Sequence, residues 1–308
     1  MTEIILHHYP ASPFSEKVRL TLGLKGLSWR AVEQPTIMPK PDLIPLTGAY
    51  RKIPVMQIGA DVYCDSQCII RELERRHPTP SVYAGGEATH LAFSFWSDRV
   101  LFQAAVGVIF GQMADQVPKE FIDDRSALMG QGQRFDPAQM KAAVPLLKDS
   151  VRAQLSWLDS QLADGRAFLL GSAPGLADFT TYHPVWFFKT YYPPAGEILA
   201  QHPKVAGWVE RVKGIGHGSM KPMTPKEALD VARATEPDTK GVADAGEPNG
   251  IKPGDKIMVM PDDYGRNPVA GTLVRSSAQE IAVLRRDESL GNVVVHFPRA
   301  GFWVMRAP

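Results

Sequence analysis

Ser12 sits in the stretch YPASPFSEKVRL (9–20), directly before Pro13 and the aromatic Phe14, with a second small hydroxyl at Ser15. A serine followed by proline at the start of a helical pattern is a good N-cap, because proline fits the first helical position. The same hydroxyl, beside the partial positive charge of a helix N-terminus, is also suited to hold and activate a sulfur anion. Capping and sulfur binding are compatible. Other chemistry-bearing residues point less far. His7 and His8 are neighbours in a strand-like run, so their side chains face opposite ways and cannot share a metal. Cys64 and Cys68 are the only cysteines, and their C-x3-C spacing is neither a redox pair nor a zinc knuckle. They read as small buried thiols. GIGHGS (214–219) follows a helix rather than a strand, which excludes a phosphate loop.

The elements that position Ser12 follow from periodicity. EIILHHY (3–9) reads as a strand buried on both faces, and Phe14, Val18 and Leu22 place one face of a helix over 13–25, with a Schellman stop at Gly26-Leu27. LSWRAVEQ (27–34) is a second strand, giving a βαβ unit with parallel strands. IPVMQIG and DVYC form two short strands around Gly59-Ala60, and Asp65 or Ser66 caps a helix from about 66 to 76. From 88 to 217 the pattern turns helical: 90–114, then 138–163 with the stripe Leu147, Val151, Leu155, Leu158, Leu162 and a kink or boundary at Pro145, then 176–191 and 203–213. Thr224, Pro225 and Glu227 make a capping box for a helix over 224–234. TEPDTKGVADAGEPNG (235–250) has linker composition. DKIMVMP, GTLVRSS, EIAVLRR and NVVVHFP then predict a module of five short strands. The expected division is therefore 1–83, an α/β domain; 84–234, all-helical; 235–250, a linker; and 251–308, a small all-β module resembling an SH3-like barrel.

Composition sets bounds. The chain has 308 residues, 44% hydrophobic and 22% charged, ordinary for a soluble globular protein with real cores. A net charge of +1 gives no electrostatic argument for nucleic acid or an anionic membrane. The β module alone balances eight Lys/Arg against six Asp/Glu, and its Tyr264, Phe297, Phe302 and Trp303 read as core and rim residues. The first residues lack a basic n-region and a long apolar h-region, and the most apolar run, AAVGVIF (104–110), is far too short to span a bilayer. The expectation is a cytoplasmic protein without nucleic-acid or membrane partners.

The β-α-β/β-β-α order, with Ile53-Pro54 just before the third strand, is the pattern of a thioredoxin-like domain. Joined to a helical half, it resembles the cytosolic glutathione S-transferase family of the serine type over roughly residues 3–215. The motifs are ASPFSEKVRLTLGLKGL (11–27), YRKIPVMQIGADVYCDSQCIIREL (50–73) and GSAPGLADF (171–179). The resemblance implies that Ser12 contacts the glutathione sulfur, with Ser15 and Tyr9 as alternatives, and that Phe14 adjoins the bound tripeptide. It implies that Ile53-Pro54 is the X-cis-Pro whose backbone pairs with the cysteinyl unit. Asp65 and Ser66 would hold the γ-glutamyl end, and Lys40 and Lys52 would neutralise the glycyl carboxylate. Phe95, Trp96, Phe102, Tyr182 and Trp186 are candidates for walls of an electrophile pocket.

The implied activity is a detoxifying conjugation of the glutathione thiolate to a small apolar electrophile. Glutathione would be the co-substrate, no metal would be needed, and the chain would form a homodimer. A transferase-fold binding or scaffold protein and a glutathione-dependent isomerase or dehalogenase are the alternatives. The energetics are coherent. A thiol with a pKa near 8.5 is only about 3% ionised at pH 7, and lowering that pKa by about two units needs ~2.7 kcal/mol. A hydrogen bond to a charged group gives about 1.5–3 kcal/mol and a helix N-terminus about 0.3–1 kcal/mol more, so no general base is required. The pattern departs from the family at Gly175, where a Ser or Thr cap is usual ahead of the structural Asp178, and at Asp65, which is shorter than the usual Glu. No cysteine stands at 12 or 15, which argues against dithiol exchange.

Overall fold

In the computed structural model, which describes residues 3–130 and 132–307, the apolar run ILHH forms β1 (Ile5–His8), buried at every position. Pro13 then opens α1 (Pro13–Leu24). Gly26, with φ +60°, ends it, and the Leu27 N–H donates to the Leu22 carbonyl at 3.0 Å, the long bond of a Schellman motif. Next come β2 (Ser28–Glu33), the single turn α2 (Ile44–Thr47), β3 (Val55–Ile58), β4 (Asp61–Cys64) and α3 (Ser66–Arg76). β1 pairs parallel with β2 and antiparallel with β3, and β3 pairs antiparallel with β4. This is the thioredoxin-like arrangement read from the sequence.

The helical half contains α4 (Glu87–Trp96), α5 (Phe102–Gln112), α6 (Lys119–Met129), α7 (Pro137–Gln161), α8 (Leu176–Tyr191), α9 (Ala195–Ala200) and α10 (Pro203–Lys213). The single helix expected over 90–114 contains a π-helical turn at Ser97–Leu101, between α4 and α5. There the Ser97 hydroxyl donates to the Thr180 carbonyl, and Asp98 reaches α1 and α8 through Lys17, His183 and Thr180. These cross-helix bonds offset the widened turn. α7 continues through Pro145 and buries Val151, Leu155 and Leu158, with Leu162 buried just beyond its end. α6 and α9 were not expected. α9, with six residues, is too short to show a period, whereas α6 carries Phe121, Ile122, Leu128 and Met129 on one helical face.

Two features differ from an all-helical 84–234 segment followed by a separate module. First, β5 (Ser219–Pro222) pairs parallel with β2, and α11 (Pro225–Arg233) turns back to bury Ala228 with Ile5 and Val32. Second, β6 (Lys256–Pro261), β7 (Val269–Ser276), β8 (Glu280–Asp287), β9 (Gly291–Pro298) and β10 (Phe302–Arg306) continue the first sheet, because β9 pairs parallel with β4. The result is one ten-stranded sheet ordered β10-β6-β7-β8-β9-β4-β3-β1-β2-β5. The 235–250 segment is also tied down: the Asp238 N–H donates to the Asp61 carboxylate at 3.1 Å, and Val242 bridges to Arg275. No helix among the described residues is long and apolar enough to cross a membrane.

Candidate active site

Between β1 and α1 the chain turns tightly: the Ser12 N–H donates to the Tyr9 carbonyl at 3.0 Å. Buried Arg19 clamps this turn from α1, donating to the Pro10 carbonyl at 2.9 Å while paired with Glu16 at 2.7 Å. His8 accepts from the same guanidinium at 3.1 Å; burial holds its imidazole down to about 4, so the ring is neutral at physiological pH. The Arg19–Glu16 pair was not singled out in the sequence. Its i,i+3 spacing is common on exposed helices, where it carries no message.

The clamped turn leaves Ser12 as the N-cap of α1 in extended backbone. Its Oγ accepts both the Ser15 N–H, at 3.2 Å, and the Ser15 hydroxyl, at 2.9 Å. A hydroxyl has two acceptor lone pairs and one donor hydrogen. Ser12 therefore has its acceptor sites filled and its own O–H left to donate, while the Ser15 proton is already engaged. Ser12 lines the larger of two adjoining cavities, and Ser15 lines neither. Tyr9 also lines the larger cavity. Burial pushes its phenol up, against the opposing pull of Arg125 and Ser12, so it remains protonated.

The smaller cavity, about 280 Å³, is polar and includes Asp65, Ser66 and Gln67 from the start of α3, opposite Asp98 and Arg99. Asp65 holds positive φ (77°) and caps α3 by accepting the Gln67 N–H at 2.8 Å. Burial pushes its carboxyl up, opposed by the Lys52 ammonium and the Gln67 amide. Asp98 would be raised by burial, but its contacts with Lys17 (2.6 Å) and His183 (2.8 Å) prevail and hold it at about 2.

The larger cavity, about 440 Å³, is walled chiefly by aromatic and aliphatic side chains from the helices, with Tyr9, Ser12 and the cations Lys40, Arg51 and Arg125 at its polar end. Lys40 is only 4% exposed and makes no ion pair among the described residues. Burial lowers its ammonium to about 8, with Arg125 and Arg51 adding repulsion. Arg51 and Arg125, by contrast, both pair with Asp124.

Of the residues predicted from sequence, Tyr9, Ser12, Phe14, Lys40, Lys52, Ile53 and Phe102 line the larger cavity, while Phe14, Lys52, Asp65, Ser66 and Phe95 line the smaller. The Ile53–Pro54 bond is cis, and Pro54 itself lines neither cavity. Trp96, Tyr182 and Trp186 are also outside both. Tyr182 is a core residue packed edge-on to Trp208, Trp96 faces Trp157, and Trp186 lies beside Phe187. A helical period marks a buried stripe without saying whether it faces core or cavity, and on α8 the cavity side is Phe187 and Tyr191. Lys52 already has partners from beyond residue 250: its Nζ donates to Asp263 at 3.1 Å and to the Tyr264 carbonyl at 3.2 Å. Among the described residues, no group of three or more His, Cys, Asp and Glu is placed to hold a metal ion.

Comparison with known proteins bears on the family and the fold. Residues 6–81 match the model of the glutathione S-transferase N-terminal domain, and residues 141–211 match that of its C-terminal domain. A GST-like protein from Pseudomonas syringae is 38% identical, with 100% of both chains covered and a TM-score of 0.80. The chain belongs to the glutathione S-transferase family. A probable glutathione S-transferase of Solanum tuberosum is 20% identical over 68% of this chain and 85% of its own. The Tau class enzyme of mango, Mangifera indica, shares the fold at 17% identity and a TM-score of 0.54, covering 75% of this chain and 97% of that one. Both domain matches end before β5, whereas the comparison with the Pseudomonas syringae protein covers the whole chain, residues beyond 250 included.

Proposed function

We propose that the protein is a glutathione transferase that stabilises the glutathione thiolate through Ser12 and delivers it to a small apolar electrophile. The observation that carries this reading is the position of a hydroxyl donor, Ser12, on the larger cavity, which adjoins a groove containing Asp65 and Ser66. On this reading the γ-glutamyl ammonium pairs with Asp65, and its carboxylate meets the Ser66 hydroxyl and the start of α3. The cysteinyl unit pairs with the Ile53 backbone. The glycyl carboxylate faces Lys40, a buried cation with no ion-pair partner among the described residues, while Lys52 serves chiefly to bind Asp263.

In the reaction the thiol proton leaves to water and the sulfur remains as an anion on the Ser12 O–H. Sulfur then attacks the electrophilic carbon, a C–S bond forms, and the leaving group departs with its bonding electrons. Ser12 and the α1 N-terminus raise the thiolate fraction at neutral pH at most about 30-fold. Further acceleration comes from holding the electrophile against the sulfur in the aromatic chamber.

Titration with glutathione by calorimetry tests the reading. Saturable binding below about millimolar glutathione is expected, and a heat of dilution alone would refute it. If glutathione binds without turnover of any electrophile, the transferase reading gives way to a binding protein on the same scaffold.

A further inference from the structure

The two cavities meet along four residues: Phe14, Lys52, Gln103 and Tyr264. The first three belong to the thioredoxin-like and helical parts. Tyr264 comes from the loop joining β6 to β7, beyond both regions matched by the transferase domain models. The strands added at the end of the chain therefore place one ring inside the site.

The loop that carries that ring is held at several points. Lys52 Nζ lies 4.5 Å from its centroid and also bonds the Tyr264 carbonyl and Asp263. The Gly265 N–H donates to the Leu128 carbonyl of α6 at 2.6 Å, and Arg99 pairs with Asp262 at 2.7 Å. Gly265 has φ +66°, and a Cβ there would lie 3.0 Å from Leu128 Cδ2, so this close approach of loop to helix needs glycine. The loop that carries the ring is thus in place before any ligand arrives, which lowers the ordering cost on binding. Within the larger cavity Tyr264 faces a chamber whose helical walls include Phe102, Phe110, Phe121 and Phe187. An aromatic ligand would gain offset-stacked or edge-to-face contacts there in addition to area burial, and an aliphatic ligand would not.

We propose that Tyr264 is a substrate-specificity residue: its ring is the surface on which a planar aromatic electrophile lies while the thiolate at Ser12 attacks. The proposal rests on the glutathione transferase reading for the reaction, though not for the contact itself. With 1-chloro-2,4-dinitrobenzene as the probe, sulfur adds to the chlorine-bearing ring carbon and chloride leaves with its bonding pair, the thiol proton having already gone to solvent.

The test has two arms. Without glutathione, calorimetry with 2,4-dinitrophenol compares wild type, Tyr264→Phe and Tyr264→Leu. The leucine variant is expected to bind about fivefold more weakly and the phenylalanine variant within about twofold of wild type. With glutathione, kcat/KM is measured for 1-chloro-2,4-dinitrobenzene and for iodomethane. The leucine variant is expected to lose about tenfold with the aromatic substrate and no more than about twofold with iodomethane. Unchanged dinitrophenol binding overturns the proposal, as does an equal loss with both electrophiles or a wild-type chain that does not bind dinitrophenol. If wild type binds dinitrophenol but not glutathione, the transferase reading fails and the first arm alone decides the role of Tyr264. Should the leucine variant fail to fold, Tyr264→Trp supplies a reporter: its added fluorescence must be quenched by bound dinitrophenol, and unquenched emission overturns the contact.

Discussion

A serine that accepts two hydrogen bonds and has its own hydrogen to direct at the cavity differs chemically from one whose hydrogen is held by a neighbouring serine. Ser12 and Ser15 are three residues apart and of one type, and the sequence leaves open which of them, or Tyr9, reaches a sulfur. The bond from Ser15 Oγ to Ser12 Oγ separates them: Ser15 polarises Ser12 and supports it as a donor. Ser12→Ala is therefore expected to lower kcat for conjugation about 10- to 100-fold, the loss of a charge-assisted bond, with glutathione affinity within about twofold. Ser15→Ala removes only the polarising support, and a loss of about threefold is expected. Steady-state kinetics with glutathione varied separates kcat from KM. A full loss in Ser15→Ala with Ser12→Ala active would exchange the two roles. The residue types at the site were legible from sequence. Which hydroxyl keeps a free proton was not, since that depends on rotamers and on the Arg19 clamp behind the turn.

At the scale of single elements, α8 explains why the chain departs from the usual helix start. A serine or threonine at 175 would cap the helix with its own oxygen, but a Cβ there would come within 2.6 Å of His90 Cε1 and 2.8 Å of the Val82 carbonyl. His90 performs the capping from α4 instead, its Nδ1 accepting the Ala177 N–H at 3.0 Å. Asp178 completes the joint. Its carboxylate accepts from the Leu169 and Gly175 N–H groups and from Trp208 Nε1, at 2.8, 3.0 and 2.8 Å. Gly175→Ser, a change that cap statistics favour, is expected to destabilise the protein by about 1–3 kcal/mol through overpacking. Asp178→Ala is expected to cost about 3 kcal/mol or more, because buried donors lose their acceptor. Urea denaturation of both variants measures these losses, and a gain in stability for Gly175→Ser would refute the crowding argument. Asp178 was legible as a structural residue at N3. The histidine cap was not, because the donor and acceptor are 87 positions apart.

Across the whole molecule, the strands after residue 250 share one core with the thioredoxin-like part: Leu43, Leu46, Tyr50, Val55 and Val62 pack with Ile257, Val259, Val295 and Phe297. Linker composition at 235–250 pointed to a separate module, because a period of two looks the same whether a strand's partner is local or distant. One signal was available. VVVHFP (293–298) shows no alternation of apolar and polar residues, the run expected of a strand covered on both faces, and all six positions are buried. The seam between β9 and β4 is stapled by His296. Its Nε2 bonds Asp61 on β4 at 3.0 Å, its Nδ1 bonds Glu280 on β8 at 2.6 Å, and its ring stacks on Tyr63 at 4.3 Å between centroids. Burial alone would favour the neutral ring, yet the two carboxylates prevail and raise its pKa above the usual value. Both ring nitrogens then donate, so the staple is an imidazolium. The sign follows from linkage: a group protonated more readily in the folded state contributes fully below its unfolded pKa of about 6.5, and that contribution falls as pH rises through the higher folded value. Glu280, held low chiefly by His296 against the cost of burial, sets the opposite limit by weakening the staple when acid protonates it. His296→Gln is expected to cost about 3 kcal/mol at pH 6, where the ring is charged in both states of the wild type, and less as pH rises. Thermal melts of both proteins from about pH 6 to about pH 9 check this: the gap between their curves should narrow toward the alkaline end, each a single cooperative transition because the late strands and the thioredoxin-like part share a core. A constant gap would mean that the staple holds a neutral ring, and two separate transitions would mean that the seam carries no cooperativity.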